Sequence, residues 1–290
     1  MDAVPLEVGA RKIGKLLSTM TAALALSQSA LAQDKMSSDW LQMTPSNPKA
    51  GIASRETRNG NVRQASAPAW SFANRRDSLA STSAYEASKR DRNLHIVVSL
   101  EERRLWVVAG IDTVMQAPVA VGTGATLVFG ENAWTFDTPR GVRTVRNKDS
   151  DPHWIPPDWH YAETAKEHGL KLAYLSLSKP TRISAGRKII FRNGEAGVLS
   201  PDSGFALLPL EEEIVFEGTL YVPPTGSKNR QVQGELGKYK LDTGGGVLLH
   251  GTPHQSSIGQ AATHGCMRLR DEDIEWLYEF VPVGTKIYIY

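Results

Sequence analysis

The sequence predicts a mainly β domain that extends from residue 94 to residue 290, with two segments of different character before it. From residue 94 onward, short runs rich in β-branched residues alternate with charged or glycine-bearing turns, which is the pattern of strands. Only two stretches in this region have apolar residues at helical spacing. With 290 residues, of which 41% are hydrophobic and 22% charged, the chain is long enough for one sizeable domain with additional segments.

The predicted strands are all short and bounded by turn-forming residues. They are Leu94 to Ser99, Arg104 to Val108, Ala117 to Val121, Lys188 to Arg192, Gly204 to Leu208, Glu213 to Phe216, Thr219 to Val222, Gly246 to Leu249 and Lys286 to Tyr290. Strands therefore make up most of the predicted secondary structure.

Two helices are predicted among these strands. The first runs from Tyr161 to His168 and is stopped by Gly169, since glycine favours helix ends. The second runs from Asp271 to Phe280, with Asp271 as its N-cap. Its apolar residues at helical spacing are Ile274, Leu277, Tyr278 and Val281. We predict that this stripe packs into the hydrophobic core.

Residues 1–32 have the pattern of a signal peptide. Basic residues precede an apolar stretch from Leu16 to Leu26, and the Ala-Leu-Ala at 30–32 offers the small side chains that a signal peptidase reads. We predict cleavage before Gln33 and a protein exported to the periplasm or the cell envelope. The alternative is an amphipathic surface helix. No later run approaches the roughly 20 apolar residues of a membrane span.

Residues 33–93 are predicted to be a flexible basic linker. The segment is rich in Ser, Ala, Asn, Arg and Pro and has no sustained periodicity, so it cannot bury enough apolar area to offset its ordering entropy. Its basic clusters leave two interpretations: contact with anionic envelope polymers, or a solvated segment without a partner. The formal charge of the whole chain is only +2, which indicates no nucleic-acid partner.

Cys266 is the only cysteine of the chain, and its surroundings predict a nucleophile. His264 lies two residues before it and His250 a short loop upstream, and a thiol activated by an imidazole is a common nucleophile in enzymes. Exported proteins usually pair their cysteines in disulfides, which a single cysteine cannot do within one chain. The alternative is an inert buried cysteine. Such a cysteine usually has apolar neighbours, whereas Cys266 is next to His264, Gly265 and Arg268.

His250 is the predicted general base. A free thiol has a pKa of about 8.5, so an imidazole must accept its proton for fast attack at neutral pH. His264 is too close in sequence to Cys266 to approach it freely, so we assign it to substrate binding or to support of the site. The opposite assignment, with His264 as the base, stays open. Backbone N–H groups around Gly265 and Cys266 are the predicted donors to the oxyanion.

Two other chemistries are less favoured by the sequence. The zinc-ligand types present are His250, His254, His264 and Cys266, but their spacing fits none of the usual paired ligand motifs. The run from Asp242 to Gly246 resembles a phosphate-binding loop only superficially, because no Gly-Lys-Ser/Thr follows it. We interpret that run as a flexible turn, and we predict no metal and no cofactor.

The chain resembles the L,D-transpeptidase (YkuD-type) catalytic domain, an exported bacterial peptidoglycan enzyme with a cysteine nucleophile. The residues that match the family's main motif are His250, Gly251, Thr252, Gly259, Thr263, His264, Gly265, Cys266, Arg268 and Asp271. Three upstream segments match in the usual order: Val121 to Gly124, Thr138 to Gly141 and Trp154 to Pro157. Thr263 stands where the family more often has serine, a change that preserves the hydroxyl.

The resemblance implies a YkuD-like β-sandwich or barrel over residues 94–290, with one helix after the catalytic loop. It also implies a long insertion at roughly 158–242, which we expect over or beside the cleft, and a Gly251 carbonyl that orients His250. We assign His264, Arg268, Thr263 and Thr252 to substrate binding.

Two of these assignments leave alternatives open. Arg268 either binds a substrate carboxylate or forms a salt bridge with Asp271 or Asp273. Thr263 either hydrogen-bonds His264 or caps a turn.

The implied reaction uses peptidoglycan stem peptides. Cys266 would be acylated with release of the terminal D-residue, and an amine from a second stem peptide or an acceptor protein would resolve the thioester. Hydrolysis by a carboxypeptidase or amidase of the same fold is one alternative. A non-catalytic peptidoglycan-binding module is another, although such a module has no need of both Cys266 and His250.

Overall fold

The structure, a computed structural model, describes residue 72 and residues 74–184 and 186–290. The predicted signal peptide and residues 33–71 of the predicted linker lie outside the described residues. Strands dominate the described part, which confirms the mainly β prediction. None of the helices within the described ranges has the length and apolar character that crossing a membrane requires.

The described residues contain three α-helices, two short 3-10 helices (Lys228–Arg230 and Gln255–Ser257) and twenty strands. The helices are α1 (Arg75–Ser88), α2 (Asp158–Glu167) and α3 (Asp271–Phe280). The strands are β1 (His95–Ser99), β2 (Arg104–Ala109), β3 (Asp112–Pro118), β4 (Val121–Gly122), β5 (Thr126–Phe129), β6 (Asn132–Thr135), β7 (Gly141–Thr144), β8 (Asn147–Ser150), β9 (Lys171–Tyr174), β10 (Thr181–Ser184), β11 (Arg187–Arg192), β12 (Glu195–Ser200), β13 (Gly204–Leu207), β14 (Ile214–Phe216), β15 (Thr219–Val222), β16 (Tyr239–Asp242), β17 (Leu248–His250), β18 (Ala261–Thr263), β19 (Met267–Arg268) and β20 (Lys286–Ile289).

Two sheets share the main hydrophobic core. The first has the order β3-β2-β1-β20-β7, with β1 parallel to β20 and antiparallel to β2. The second has the order β19-β17-β16-β8, with β17 parallel to β19 and antiparallel to β16. Ile96 and Ile287 from the first sheet, Leu249 and Met267 from the second, and Leu277 from α3 belong to one buried cluster. Helix α3 therefore packs on the core, as its apolar residues at helical spacing predicted.

The predicted insertion forms a structure with its own small core. Strands β10 to β13 make an antiparallel meander, and β14, β15 and β9 form a three-stranded sheet. Their buried side chains include Ile189 and Ala196. Strand β16, at the end of the predicted insertion, instead belongs to the second sheet of the main core.

A buried arginine holds the end of the insertion against its beginning. Arg230 is 6% exposed and donates to the carbonyls of Pro156 and Pro223. Its remaining nitrogen donates to the Asp158 carboxylate at 2.5 Å. The first turn of α2, which starts at Asp158, is thereby fixed next to the strands that follow it.

Several predicted boundaries differ from the structure, among them the start of α2, which lies at Asp158 and not at Tyr161. The predicted strand from Ala117 to Val121 is interrupted, because Ala120 forms an isolated bridge with Arg268 and the chain passes from one sheet to the next. The N-cap of α3 is Arg270, so Asp271 is the first helical residue and not the cap. Asp271 still lies in the first turn, where a carboxylate interacts favourably with the helix dipole.

Helix α1 lies in the segment predicted to be a flexible linker, and that prediction is wrong for these residues. The Asn74 side chain caps the helix by accepting from the Asp77 N–H at 3.0 Å. Tyr85 packs edge-on against Tyr290, with ring centroids 5.0 Å apart, and Ala84 is fully buried. The helix has no strong apolar stripe of its own, since its buried residues are small. Contact with the C-terminal strand region stabilises it, and local sequence does not reveal that contact.

We predict that Tyr85→Ala lowers the free energy of unfolding by about 1–3 kcal/mol, because it removes a partly buried aromatic pair. Leu79→Ala is the matched control on the same helix, since Leu79 is 61% exposed and its truncation is expected to change stability by about 0.5 kcal/mol or less. Urea denaturation of the purified protein measures both. Equal effects of the two substitutions would show that α1 does not contribute to the folded domain.

Candidate active site

Parallel pairing of β17 with β19 places Cys266 and His250 on one face of the second sheet. Leu249 pairs with Met267 and His250 with Arg268. Paired residues in a parallel sheet point to the same face, and successive residues alternate. Leu249 and Met267 therefore point into the core, where both are fully buried. Cys266 and Arg268 share the opposite face with His250.

Burial along residues 263–269 follows the same alternation. The odd-numbered residues of this stretch are buried, whereas His264, Cys266 and Arg268 are partly exposed. The three side chains that the sequence assigned to chemistry or substrate contact thus lie on the accessible side of one extended segment.

The thiol of Cys266 donates to the carbonyl of Gly246, with a distance of 3.6 Å from Sγ to the oxygen. Burial raises the pKa of the thiol, and this is the largest effect. The Leu248 N–H and the positive charges of Arg268 and Arg143 act in the opposite direction. In the part of the chain that is described, the hydrogen bonds of Sγ do not include one to the His250 ring.

His250 is buried and oriented by the backbone that follows it. Its Nδ1 lies 2.6 Å from the Gly251 carbonyl oxygen, so Nδ1–H is the donor and Nε2 keeps its lone pair. This is the contact that the resemblance implied. Burial lowers the pKa of His250 to about 4, with the Gly251 contact opposing the shift and Arg268 adding to it. The imidazole is therefore neutral at neutral pH and can accept a proton.

Both pKa shifts favour the uncharged forms of the two groups. The pKa of Cys266 is raised and that of His250 is lowered, in each case mainly by burial. The resting groups are consequently a neutral thiol and a neutral imidazole on the same face of the sheet, and not a preformed thiolate–imidazolium pair. A neutral imidazole can act as a general base, which takes a thiol proton during attack on a carbonyl.

Close backbone packing holds His250 and Gly251 in place. A Cβ on Gly251 would lie 3.0 Å from the Asp271 carboxylate oxygen and 3.3 Å from the Gly237 Cα. A Cβ on Gly237, whose φ is +65°, would lie 2.7 Å from the Gly251 Cα. Glycine at both positions lets two backbone segments touch directly behind the histidine.

Thr263 shapes the loop that carries the nucleophile. Its hydroxyl donates to the Cys266 carbonyl at 2.6 Å and accepts from the Gly265 N–H at 3.1 Å. Thr263 thus caps a turn, which is one of the two roles the sequence left open. Gly265 has a φ of +119°, and a Cβ there would lie 2.9 Å from the Asp137 carbonyl oxygen.

This loop geometry bears on the predicted oxyanion donors. The Gly265 N–H is already bound to Thr263, so it is not free to receive an oxyanion as predicted. The N–H of Cys266 has no partner among the hydrogen bonds of the described residues. Cys266 itself is therefore the better candidate to supply the backbone donor at the reacting carbon.

Thr252 also has a structural contact. It is 1% exposed, and its hydroxyl accepts from the His254 N–H at 3.0 Å. Thr263 is equally buried. Because both hydroxyls are bound within the chain, their positions give no support to direct substrate contact, and that assignment stays a prediction.

His264 is held by two residues of α2 and by Phe136, which directly follows β6. Its Nε2 lies 3.1 Å from the Glu163 carboxylate, and its ring stacks on Trp159 with centroids 4.0 Å apart. Phe136 packs edge-on against the same ring at 4.4 Å. The hydrogen bond to His264 lowers the pKa of Glu163, more than burial raises it. Sequence reasoning missed Glu163, whose only signal is its position on the helix after the Trp154 to Pro157 motif.

Arg268 has no ion pair among the residues that the structure describes. The salt bridge to Asp271 or Asp273 that the sequence left open is absent there. Burial lowers the pKa of Arg268, and the carboxylate of Glu235 opposes this shift. Glu235 itself lies 3.5 Å from the His254 ring. A partly buried guanidinium next to the nucleophile is thus available to an anionic group of a ligand.

The upstream matching segments converge on the same loop. Strand β4 pairs in parallel with β18, and Thr123 donates its N–H to the Thr263 carbonyl at 3.0 Å. The Thr138 hydroxyl accepts from the Gly122 N–H at 2.8 Å. Pro157, at the end of the third segment, is the N-cap of α2. These segments therefore support the cysteine loop from two directions.

The candidate zinc ligands do not come together. His254 pairs with Glu235, His264 with Glu163, and His250 with the Gly251 carbonyl. Within residues 74–184 and 186–290, no group of three His, Cys, Asp or Glu side chains is arranged to hold a metal ion.

Comparison with known proteins identifies relatives over most of this region. The family model of the YkuD L,D-transpeptidase catalytic domain matches residues 93–289. The protein named probable L,D-transpeptidase YbiS from Escherichia coli strain K12 is 44% identical over 194 residues, which cover 66% of this chain and 43% of the relative. Probable L,D-transpeptidase ErfK/SrfK from Salmonella typhimurium is 27% identical over 196 residues, with coverage of 67% and 43%. The match thus spans less than half the length of these relatives.

Solved structures are similar at low identity. The crystal structure of the L,D-transpeptidase from Xylanimonas cellulosilytica has a TM-score of 0.36 and 16% identity, covering 72% of this chain and 68% of that chain. An L,D-transpeptidase from Mycobacterium smegmatis has a TM-score of 0.35 and 16% identity, covering 68% and 58%.

The hydroxyl of Thr263 is expected to control the reactivity of Cys266. We predict that Thr263→Val slows alkylation of the thiol by iodoacetamide about tenfold or more. The substitution leaves the buried Gly265 N–H without an acceptor, which destabilises the loop that carries the nucleophile by about 1–3 kcal/mol. Thr263→Ser keeps the hydroxyl and should alkylate within about threefold of the wild type. Similar rates for the two variants would contradict the role assigned to this hydroxyl.

His250 is expected to control the availability of the thiolate. We predict that His250→Ala slows alkylation of Cys266 at pH 7 at least tenfold, whereas His264→Ala slows it less than threefold, because only the base accepts the thiol proton. The matched pair compares two histidines at the same site. A larger effect of His264→Ala would reverse the assignment of the base.

The pH dependence of wild-type alkylation tests the neutral resting pair. The pKa of the thiol is raised and that of His250 lies at about 4, so the thiolate fraction should rise about tenfold per pH unit from pH 5 through pH 8. A plateau already reached at pH 6 would indicate a preformed ion pair.

Proposed function

Because the chain belongs to the YkuD family of L,D-transpeptidase catalytic domains, we propose that Cys266 is acylated by a peptidoglycan stem peptide and passes the acyl group to an amine. The observation that carries this proposal is the placement of three groups on the same face of paired strands: one thiol, one neutral imidazole, and one guanidinium without an ion pair among the described residues. Those three groups supply a nucleophile, a base and an anchor for a carboxylate.

In the first step, the thiol leaves the Gly246 carbonyl and turns toward His250. Nε2 of His250 takes the proton as Sγ bonds to the carbonyl carbon of the donor peptide. The N–H of Cys266 donates to the oxyanion that forms. When the intermediate collapses, the bond from carbon to nitrogen breaks, and the terminal D-residue leaves with the proton from His250. The donor is then a thioester on Cys266.

In the second step, an amine of another stem peptide or of an acceptor protein attacks the thioester. His250 takes a proton from the attacking nitrogen, the bond from carbon to Sγ breaks as the new amide forms, and the departing sulfur takes that proton from His250. Water in place of the amine would give hydrolysis and a shortened stem peptide. These two steps need no metal and no cofactor, since the thioester is reactive enough to pass its acyl group to the second amine.

Recognition of the donor is proposed for Arg268, which takes a carboxylate of the peptide. His264 is proposed to contact the peptide from the other end of the segment 264–268, whose even-numbered side chains are partly exposed. The signal-like segment at residues 1–32 supports a location in the periplasm or the cell envelope, where peptidoglycan is found.

The proposal is tested by incubating the purified protein with isolated muropeptides and measuring the masses of the products. We predict release of the terminal D-residue together with a cross-linked product, and no product from Cys266→Ala or Cys266→Ser, because a serine hydroxyl is too weak an acid for this site. Release with only shortened peptides would show a hydrolase. No product from any muropeptide would overturn the proposed function.

A covalent trap provides the control for the nucleophile. A carbapenem presents a strained carbonyl to a thiolate and should add its mass to the wild-type protein but not to Cys266→Ala. An adduct on both proteins would place the reactive group elsewhere in the chain.

A further inference from the structure

The glycine-rich run before β17 is an internally bonded turn next to the nucleophile. Gly244, Gly245 and Gly246 have φ values of +82°, +65° and +76°, a conformation that other residues rarely adopt. The Gly244 N–H donates to the Asp242 carboxylate at 2.6 Å. The sequence predicted a flexible turn here, and the structure shows contacts that connect this turn to the site.

Two functional groups bind carbonyls of this one turn. The Gly246 carbonyl accepts the thiol of Cys266 at 3.6 Å, and the Gly244 carbonyl accepts Nη1 of Arg143 at 2.7 Å. A Cβ on Gly245 would lie 3.6 Å from that same Nη1. Arg143 belongs to β7, directly after the Thr138 to Gly141 segment. The Gly244 carbonyl thus holds the Arg143 guanidinium next to the nucleophile, because the Gly246 carbonyl two residues later accepts the thiol.

The positive charge of Arg143 is not compensated within the described part of the chain. None of the ion pairs found there includes Arg143, Arg146 or Arg268. Arg146 packs on the same turn, since a Cβ on Gly244 would lie 2.6 Å from its Cζ. The two like charges repel each other, and burial and Arg146 both lower the pKa of Arg143. A partly buried charge beside a like charge costs stability unless an anion binds it.

The guanidinium also has donors to spare. Arginine carries five N–H groups in a fixed fork that matches a carboxylate, and the contact with Gly244 uses one of them. A carboxylate placed here would accept charge-assisted hydrogen bonds and would relieve the repulsion between Arg143 and Arg146. The uncharged Gly244 carbonyl meanwhile keeps the guanidinium in position.

We propose that Arg143 is a specificity-determining residue that binds a carboxylate of the acyl donor, a different one from the carboxylate assigned to Arg268. The inference rests on the proposed function and deepens it. The donor is then an acidic peptide with two carboxylates near the amide that is cleaved, one for each arginine. A donor with only one of them binds less well and reacts more slowly.

The experiment uses synthetic donor peptides in which one carboxylate at a time is converted to an amide. Release of the terminal D-residue gives kcat/KM for the wild type, Arg143→Met, Arg268→Met and Arg182→Met. Arg182 is the control because it is an exposed arginine on β10, in the meander. Charged hydrogen bonds of this kind correspond to about a ten- to hundredfold change.

We expect amidation of one carboxylate to lower kcat/KM of the wild type and of Arg182→Met about ten- to hundredfold. Arg143→Met should lose a similar factor with the free acid and should then be insensitive to that amidation. Arg268→Met should show the same behaviour with the other carboxylate. Arg143→Lys keeps the charge without the fork and should retain part of the sensitivity, which provides a second variant should Arg143→Met not fold.

Two kinds of failure are distinguishable. If the wild type turns over the donors but Arg143→Met and Arg143→Lys keep the full sensitivity to each amidation, the inference on Arg143 is wrong and the proposed function stands. If the wild type releases no D-residue from any donor, both are overturned. Complete carbapenem labelling of Arg143→Met after prolonged excess, whatever its rate, would confirm that the Cys266 thiol of this variant can still react.

Discussion

The site depends on the parallel pairing of two very short strands, β17 and β19. The pairing of Leu249 with Met267 fixes both side chains in the core, and the twofold alternation of strands then places His250 and Cys266 on the other face. A shift of the register by one residue would turn the base or the nucleophile into the core. The apolar residues between the functional ones are therefore as necessary to the geometry as the functional residues are.

Burial determines the electrostatic state of this pair. It lowers the pKa of His250 and raises that of Cys266, so the resting site carries no charge on either group. Arg268 and Arg143 are positive charges near the thiol that lower its pKa, whereas the Asp242 carboxylate raises it. None of the ion pairs among the described residues includes either arginine. These two guanidinium groups next to the nucleophile are the basis of the proposed binding of an acidic donor.

The loop that carries the nucleophile is supported by segments from distant parts of the chain. The Thr263 hydroxyl forms a hydrogen bond within the loop, to the Cys266 carbonyl. On one side of the loop β4 pairs with β18. On the other side Glu163 and Trp159 contact His264. Because α2 belongs to the predicted insertion, the insertion contacts the site directly through His264. Differences in this helix between relatives would be expected to change how a substrate is held.

The sequence by itself determined the mainly β class, helix α3 and most strand positions, because periodicity and residue type are local properties. It failed for α1, whose small buried residues leave no apolar stripe. It predicted the turn from Gly244 to Gly246 but not the contacts of that turn with Arg143 and Cys266, which are distant in sequence. Only the tertiary structure brought Glu163 to His264 and Arg143 to Gly244, contacts that each join residues 101 positions apart. Such contacts arise from the packing of whole elements against one another, and no local pattern of residues specifies them.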